Sequence, residues 1–204
     1  MSRLLEIGRV FIPRMMAYVL WSIVVLLGIL SSHQIAAYPD GKVSAACSTM
    51  EPVHGTTAQT SAAPYSLQVS KTNYTNGDKI TVTLQNTTSQ LIEGFLIQAR
   101  SGSSTTPLGY FEISGSDVQT LKCTTGASAV SHTSGAQKSS VKVTWVAPNS
   151  NISDIQLRAT VVASEKIYWL NVLGPKLTYA GSSGCRLLVP GVLSVLLICV
   201  LCLM

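Results

Sequence analysis

Ile80-Thr81-Val82-Thr83-Leu84-Gln85 alternates apolar and polar residues without a break, and Val141-Lys142-Val143-Thr144-Trp145 does the same. Successive side chains of a β-strand point to opposite faces, so period two puts Ile80, Val82 and Leu84 on one side and the threonines on the other. Such strands bury one face and wet the other. Asn76-Gly77-Asp78, just ahead of Ile80, is a turn signal. Working outward, further strands are expected over residues 66–70, 94–101, 110–114, 121–124, 155–163 and 166–173, separated by Ser, Gly, Pro and Asn clusters. No stretch sustains an apolar period of 3.6. Eight short strands with frequent turn signals predict an all-β fold, an antiparallel β-sandwich. Residues 56–64 (TTAQTSAAP) read as an extended lead-in or loop.

The whole chain has 204 residues, is 47% hydrophobic and only 11% charged, and carries a net charge of +5. That length holds one ordinary domain or two very small ones, and excludes a large multi-domain oxidoreductase or a many-helix transporter. The apolar residues gather at the two ends. Residues 15–30 (MMAYVLWSIVVLLGIL) and 187–204 (LLVPGVLSVLLICVLCLM) carry no charge. Between Tyr38 and Gly184 stand 10 Lys/Arg and 8 Asp/Glu, a net of +2, with 21 Ser and 19 Thr. Three of the remaining cations, Arg3, Arg9 and Arg14, precede the first apolar run. No basic cluster interleaves with aromatics, so nucleic acid is not an expected partner.

The ends therefore read as addresses. Residues 1–37 are expected to be a signal peptide: a positive n-region, an apolar core and a small-residue boundary at Ala36-Ala37, with cleavage leaving Tyr38 first. Met15 or Met16 as the start would give a more usual signal length, and an uncleaved signal anchor is the alternative. Residues 180–186 form a small-residue juxtamembrane region. Within it Gly181, Ser182 and Ser183 are the candidate GPI-attachment residues, because small residues before a terminal apolar tail match that signal. The polar spacer is shorter than that pattern asks. A plain C-terminal transmembrane helix over 187–204 is the alternative, with no flanking Lys or Arg beyond it. Either way the expected location is the extracellular face of the cell membrane, with the membrane itself as one partner.

Of five cysteines, Cys199 and Cys202 lie in the tail and Cys185 borders it. Cys47 and Cys123 remain inside the domain, and two internal cysteines in an extracellular domain read as one disulfide. Three sequons, Asn73-Tyr74-Thr75, Asn86-Thr87-Thr88 and Asn151-Ile152-Ser153, make Asn73, Asn86 and Asn151 candidate glycosylation sites on surface loops.

The remaining chemistry is sparse. Trp145, on an alternating strand, is expected in the core. Trp169 follows Tyr168, so one of that pair must point outward, and Trp169 is the candidate contact surface. His54 and His132 fall short of the three or four ligands of a zinc site. There is no G-x-S-x-G elbow, nucleotide-binding glycine fingerprint or assignable carboxylate pair. Arg100, Lys138, Lys142 and Arg158 form at most a weak anion-binding face. No metal, cofactor or catalytic residue is expected.

Some longer strings carry a resemblance. They are Tyr38-Pro39-Asp40-Gly41-Lys42-Val43, Met50-Glu51-Pro52-Val53-His54-Gly55, Gly94-Phe95-Leu96-Ile97-Gln98-Ala99-Arg100 and Leu108-Gly109-Tyr110-Phe111. Ala129-Val130-Ser131-His132, Trp145-Val146-Ala147-Pro148 and Ile167-Tyr168-Trp169 complete the set, with Cys47 and Cys123 at their places in the order. Together they resemble the reeler (reelin) domain over residues 38–179, most closely the N-terminal reeler module of ferric-chelate reductases. The resemblance implies an immunoglobulin-like β-sandwich and agrees with Cys47 pairing with Cys123. Those reductases continue into haem-binding modules, for which this sequence offers no helical bundle, so reductase activity is not expected to carry over. The expected role is non-enzymatic: cell-surface recognition or adhesion through an extracellular protein or glycan ligand. The alternatives are an accessory to ferric-chelate reduction working with a haem-bearing partner, or an innate-immune defence protein.

Overall fold

The computed structural model describes residues 38–181, together with Tyr18, Trp21 and Ser22. The chain divides into two units, Met1–Ala36 and Ala37–Met204, and the fold below is that of the second. Ser182, Ser183, the tail over 187–204 and nearly all of the signal segment lie outside the described residues. Among the described residues, no helix is long and apolar enough to cross a membrane.

The alternation at 80–85 becomes β3 (Lys79–Asn86), with Ile80, Val82 and Leu84 fully buried. It pairs antiparallel with β8 (Ser140–Val146), so that Ile80 faces Trp145, Val82 faces Val143 and Leu84 faces Val141. Cross-strand apolar pairs of this kind fix the register, since a one-residue slip would turn both sets out to water. The turn ahead of β3 is built as its residues require. Gly77 takes φ +73°, and the Asp78 carboxylate accepts the Thr75 N–H at 2.7 Å. β1 (Tyr65–Val69) and β5 (Tyr110–Glu112) flank this pair, giving a four-stranded sheet in the order β1-β3-β8-β5.

The second sheet has six strands in the order β2-β10-β9-β4-β7-β6. These are β2 (Asn73–Tyr74), β10 (Ile167–Tyr179), β9 (Ile155–Ser164), β4 (Gly94–Ser101), β7 (Ala129–His132) and β6 (Val118–Leu121). All pairings are antiparallel except β2 with β10. The two sheets enclose one core, which includes Phe95, Ile97, Leu157, Val161, Trp145, Trp169 and Leu177. The expected antiparallel sandwich is therefore the fold.

The differences from the expected strands have physical causes. β10 runs on to Tyr179, through Gly174-Pro175, because register shifts between Trp169 and Val172 and between Leu173 and Lys176 absorb the residues that do not pair. β7 and β2 were not expected as strands; β7 buries all four residues, and β2 is two residues long, so neither shows an alternation.

The larger sheet is wet on neither face at its centre. Every residue from Gly94 to Arg100 is buried, Leu96, Gln98 and Arg100 among them. Their face, the outer one, is covered by the segment that precedes β1. A short 3-10 turn, Ser44–Ala46, leads into Cys47, and Met50 packs with Leu96, Leu121 and Ala129 in a second, smaller core. The segment begins with a tight approach. Gly41, at φ +67°, lies so close to the backbone of His132 that a Cβ would stand 1.8 Å from the carbonyl oxygen. Only glycine fits there.

Candidate functional site

The covered outer face concentrates the polar chemistry of the domain. Cys47 is bonded to Cys123, 76 residues on, and fastens the cover to the loop after β6. Gln98, on β4 beneath it, donates to the Cys47 carbonyl at 3.0 Å and to Cys123 Sγ at 3.3 Å. Arg100 donates through Nη2 to the same carbonyl at 2.6 Å and through Nε to Gln98 Oε1 at 2.8 Å. Burial, with the neighbouring Arg158 charge, lowers the Arg100 pKa. Further along, the Thr160 hydroxyl donates to the Met50 carbonyl. The bonds to the Cys47 and Met50 carbonyls give backbone groups of the cover partners that a bare sheet face would not supply.

At one end of this face, the His132 imidazole does work a backbone carbonyl usually does. Its Nδ1 accepts the Phe95 N–H at 3.1 Å, and the Ser131 hydroxyl donates to the Phe95 carbonyl at 2.9 Å. Accepting at Nδ1 requires the neutral ring with its proton on Nε2. Burial accordingly lowers the His132 pKa below 6.5. Gln119 ties the start of the cover down, donating to the carbonyls of Asp40 and His132. At the far side, Tyr168 donates to the Thr56 carbonyl at 2.8 Å, and the His54 ring stands edge-on to it with centroids 5.9 Å apart.

The expectation for Trp169 is corrected here. Tyr168 and Trp169 do point to opposite faces, but Trp169 is the one that points in. It is 8% exposed, meets the Tyr65 ring edge-on at 5.5 Å and donates to the Ser61 hydroxyl. Tyr168 takes the outer face, and the Glu51–Thr56 stretch of the cover buries it completely. Neither residue offers a contact surface, because alternation fixes which side a residue faces and not whether that side is wet. Trp145 lies in the core and donates to the Leu108 carbonyl at 2.9 Å.

The other named residues scatter. Asn73 is exposed, on β2 rather than on a loop; Asn86 ends β3; Asn151 is exposed between β8 and β9. The Tyr74 hydroxyl donates to the Ile152 carbonyl, which draws the Asn73 and Asn151 sequons to one end of the sandwich. Gly181 closes the described stretch beside the Tyr179 ring. His54 and His132 have separate surroundings, and among the described residues no three His, Cys, Asp or Glu side chains converge to hold a metal. The four cations divide. Arg100 and Arg158 share the outer face of β4 and β9. Lys138 and Lys142 instead line an open cleft of about 150 Å³ with Asp117, Ser114 and Ser140.

The Reeler domain profile matches residues 45–184. The chain belongs to the Reeler domain family. Human ferric-chelate reductase 1 is 39% identical over 145 residues, covering 69% of this chain and 24% of the reductase. A Danio rerio protein named "Putative ferric-chelate reductase 1" is 39% identical over 150 residues, 72% of this chain and 26% of that protein. The chain thus spans about a quarter of the length of these relatives. A Bombyx mori protein named "Putative defense protein" is 30% identical over 154 residues, 72% of this chain and 89% of that protein. Among solved structures, the Reelin-N domain of F-spondin superposes with a TM-score of 0.54 at 22% identity, covering 68% of this chain and 99% of the other. That likeness shows the fold.

Proposed function

We propose that this chain is a non-enzymatic reeler module displayed on the extracellular face of a membrane, where it serves recognition or adhesion. The observation that carries this reading is how the buried polar groups are used. Gln98, Arg100 and Thr160 bond to carbonyls of the cover and hold it on the sheet, and Ser131 and His132 bond to the Phe95 backbone within the sheet itself. Chemistry needs groups positioned toward a substrate, and here they are positioned toward the fold. The Cys47–Cys123 disulfide fits an oxidising compartment. The exposed sequons Asn73 and Asn151, the GPI-type residues Gly181, Ser182 and Ser183, and the apolar tail fit a glycosylated, tethered protein. Binding then falls to loops and rims, as it commonly does on such scaffolds, with an extracellular protein or glycan as the ligand class.

The test is direct. Purified full chain is expected to show no Soret band and no reduction of a ferric chelate, and intact cells expressing it are expected to bind an antibody to a tag placed after Ala37. GPI-specific phospholipase should release the tag; retention would assign a transmembrane tail. A Soret band or chelate reduction would overturn the non-enzymatic reading and favour an accessory role with a haem-bearing partner. A second reading, host defence, draws on the Bombyx mori relative, which this chain matches over 89% of its length. Binding of the full chain to microbial surface polymers, without binding to animal cells, would favour it.

A further inference from the structure

We propose that Arg100 and Arg158 form a site for a small oxyanion on the outer face of the larger sheet, at the margin of the N-terminal cover. All four ion pairs among the described residues use lysine: Lys42 with Asp40, Lys71 with Asp78, Lys79 with Glu112 and Lys176 with Asp154. The two arginines among the described residues have no carboxylate. Arg100 is 4% exposed, and a charge so deeply buried is normally paired. Its two hydrogen bonds go to neutral acceptors, the Gln98 amide and the Cys47 carbonyl, out of five N–H donors.

Arg158 sits beside it. The register sets Gln98 opposite Arg158 and Arg100 opposite Gln156, so the two arginines are diagonal neighbours on one face. The Arg158 Nη2 donates to the Gly102 carbonyl at 2.9 Å, in the turn that follows β4. Its Nε is buried and has no partner. Two like charges held side by side, with N–H donors to spare and no acid, form half of a recognition site. The missing half is negative and presents oxygens to guanidinium forks, a geometry that carboxylate and phosphate groups satisfy with paired charge-assisted bonds. The cover seats Cys47 over Arg100 and Met50 over Thr160, while Arg158 remains partly exposed beyond it. The ligand enters from that side. This site stands independently of the recognition role proposed above.

The experiment follows the thermal midpoint of the purified full chain by tryptophan fluorescence, replacing chloride with inorganic phosphate or with acetate at constant ionic strength. A saturable rise is expected with at least one of the two anions, and the one that acts at the lower concentration tells a tetrahedral oxyanion from a planar one. Arg158→Gln is expected to weaken the apparent affinity at least about tenfold, the loss of one charge-assisted pair. Arg158→Lys, which keeps the charge without the fork, should fall between. Lys122→Gln, an exposed cation elsewhere, should behave like the unmodified chain. In the unmodified protein the Arg158 Nε–H resonance should shift on titration, a readout independent of any variant's folding. The proposal is overturned by a rise that does not saturate, by one equal in Arg158→Gln, or by a resonance that stays still.

Discussion

Replacing Cys47 and Cys123 together by serine is expected to lower global stability by about 4.5 kcal/mol. The bond joins residues 76 apart, and the chain-entropy relation for a loop of that length gives about 15 cal/mol/K, hence that figure at 25 °C. Domains of this size hold roughly 5–15 kcal/mol in all, so about 30% of the reserve or more is at stake. The hydrogen bonds from Gln98 and Arg100 end on the Cys47 carbonyl, a backbone group that serine retains. The loss should therefore come from the freed unfolded chain and not from broken contacts. Urea denaturation read by the buried tryptophans should show a lower midpoint and a modestly steeper slope, since the uncrosslinked chain exposes more surface. Hydrogen exchange adds the spatial test: amides of β4, paired on both sides and opening only with the whole domain, should exchange faster in step with the lost global stability, and those of residues 43–50 should exchange faster still through local release of the cover. A loss below about 1 kcal/mol with the cover still protected would refute the reasoning. It would mean that Met50 packed on Leu96, Leu121 and Ala129 holds the cover unaided.

Trp145→Phe removes the indole N–H that meets the Leu108 carbonyl and leaves a void in the core, so chemical denaturation should show a loss of about 2–4 kcal/mol. Gly109→Ala should cost about 2 kcal/mol or more on the same assay, because φ is +68° and the new Cβ would meet the Val146 carbonyl oxygen at 2.3 Å. Burial lowers the His132 pKa, so below pH 6.5 the unfolded chain binds a proton that the native state resists. Its contribution is thus fully present above pH 6.5 and is lost as pH falls from there toward the folded pKa. Thermal midpoints between pH 7.5 and 5 should show a slope that His132→Gln reduces, and an unchanged slope would count against it.

The sandwich was legible because Ile80–Gln85 and Val141–Trp145 each bury one face, and period two reports that directly. The disulfide was legible because Cys47 and Cys123 are the two cysteines between Tyr38 and Gly184. What alternation does not report is a second covering layer. Gly94–Arg100 mixes Phe, Ile and Leu with Gln and Arg, and nothing local marks Gln98 and Arg100 as buried. Their shared partner is the carbonyl of Cys47, some fifty residues upstream. For the same reason alternation alone points one of Tyr168 and Trp169 toward water: Tyr168 takes the outer face, and the chain that dries that face comes from Glu51–Thr56. The diagonal placement of Arg100 beside Arg158 is likewise a matter of register between β4 and β9, which two separate stretches of sequence do not display.

The cover also imposes an order in time. It is made before any strand of the sheet it lies on, yet its anchoring partners come far later: Thr160 is 110 residues beyond Met50, and Tyr168 is 112 beyond Thr56. During vectorial synthesis the first part of the domain to emerge therefore has Cys47 unpaired for at least the 76 residues to Cys123, and its anchors to Thr160 and Tyr168 stay open until β9 and β10 are made. Contacts of such long range close slowly. A chain arrested before β9 would hold the cover only through the Cys47–Cys123 bond and the Met50 cluster, with the carbonyls of Met50 and Thr56 still waiting for their partners.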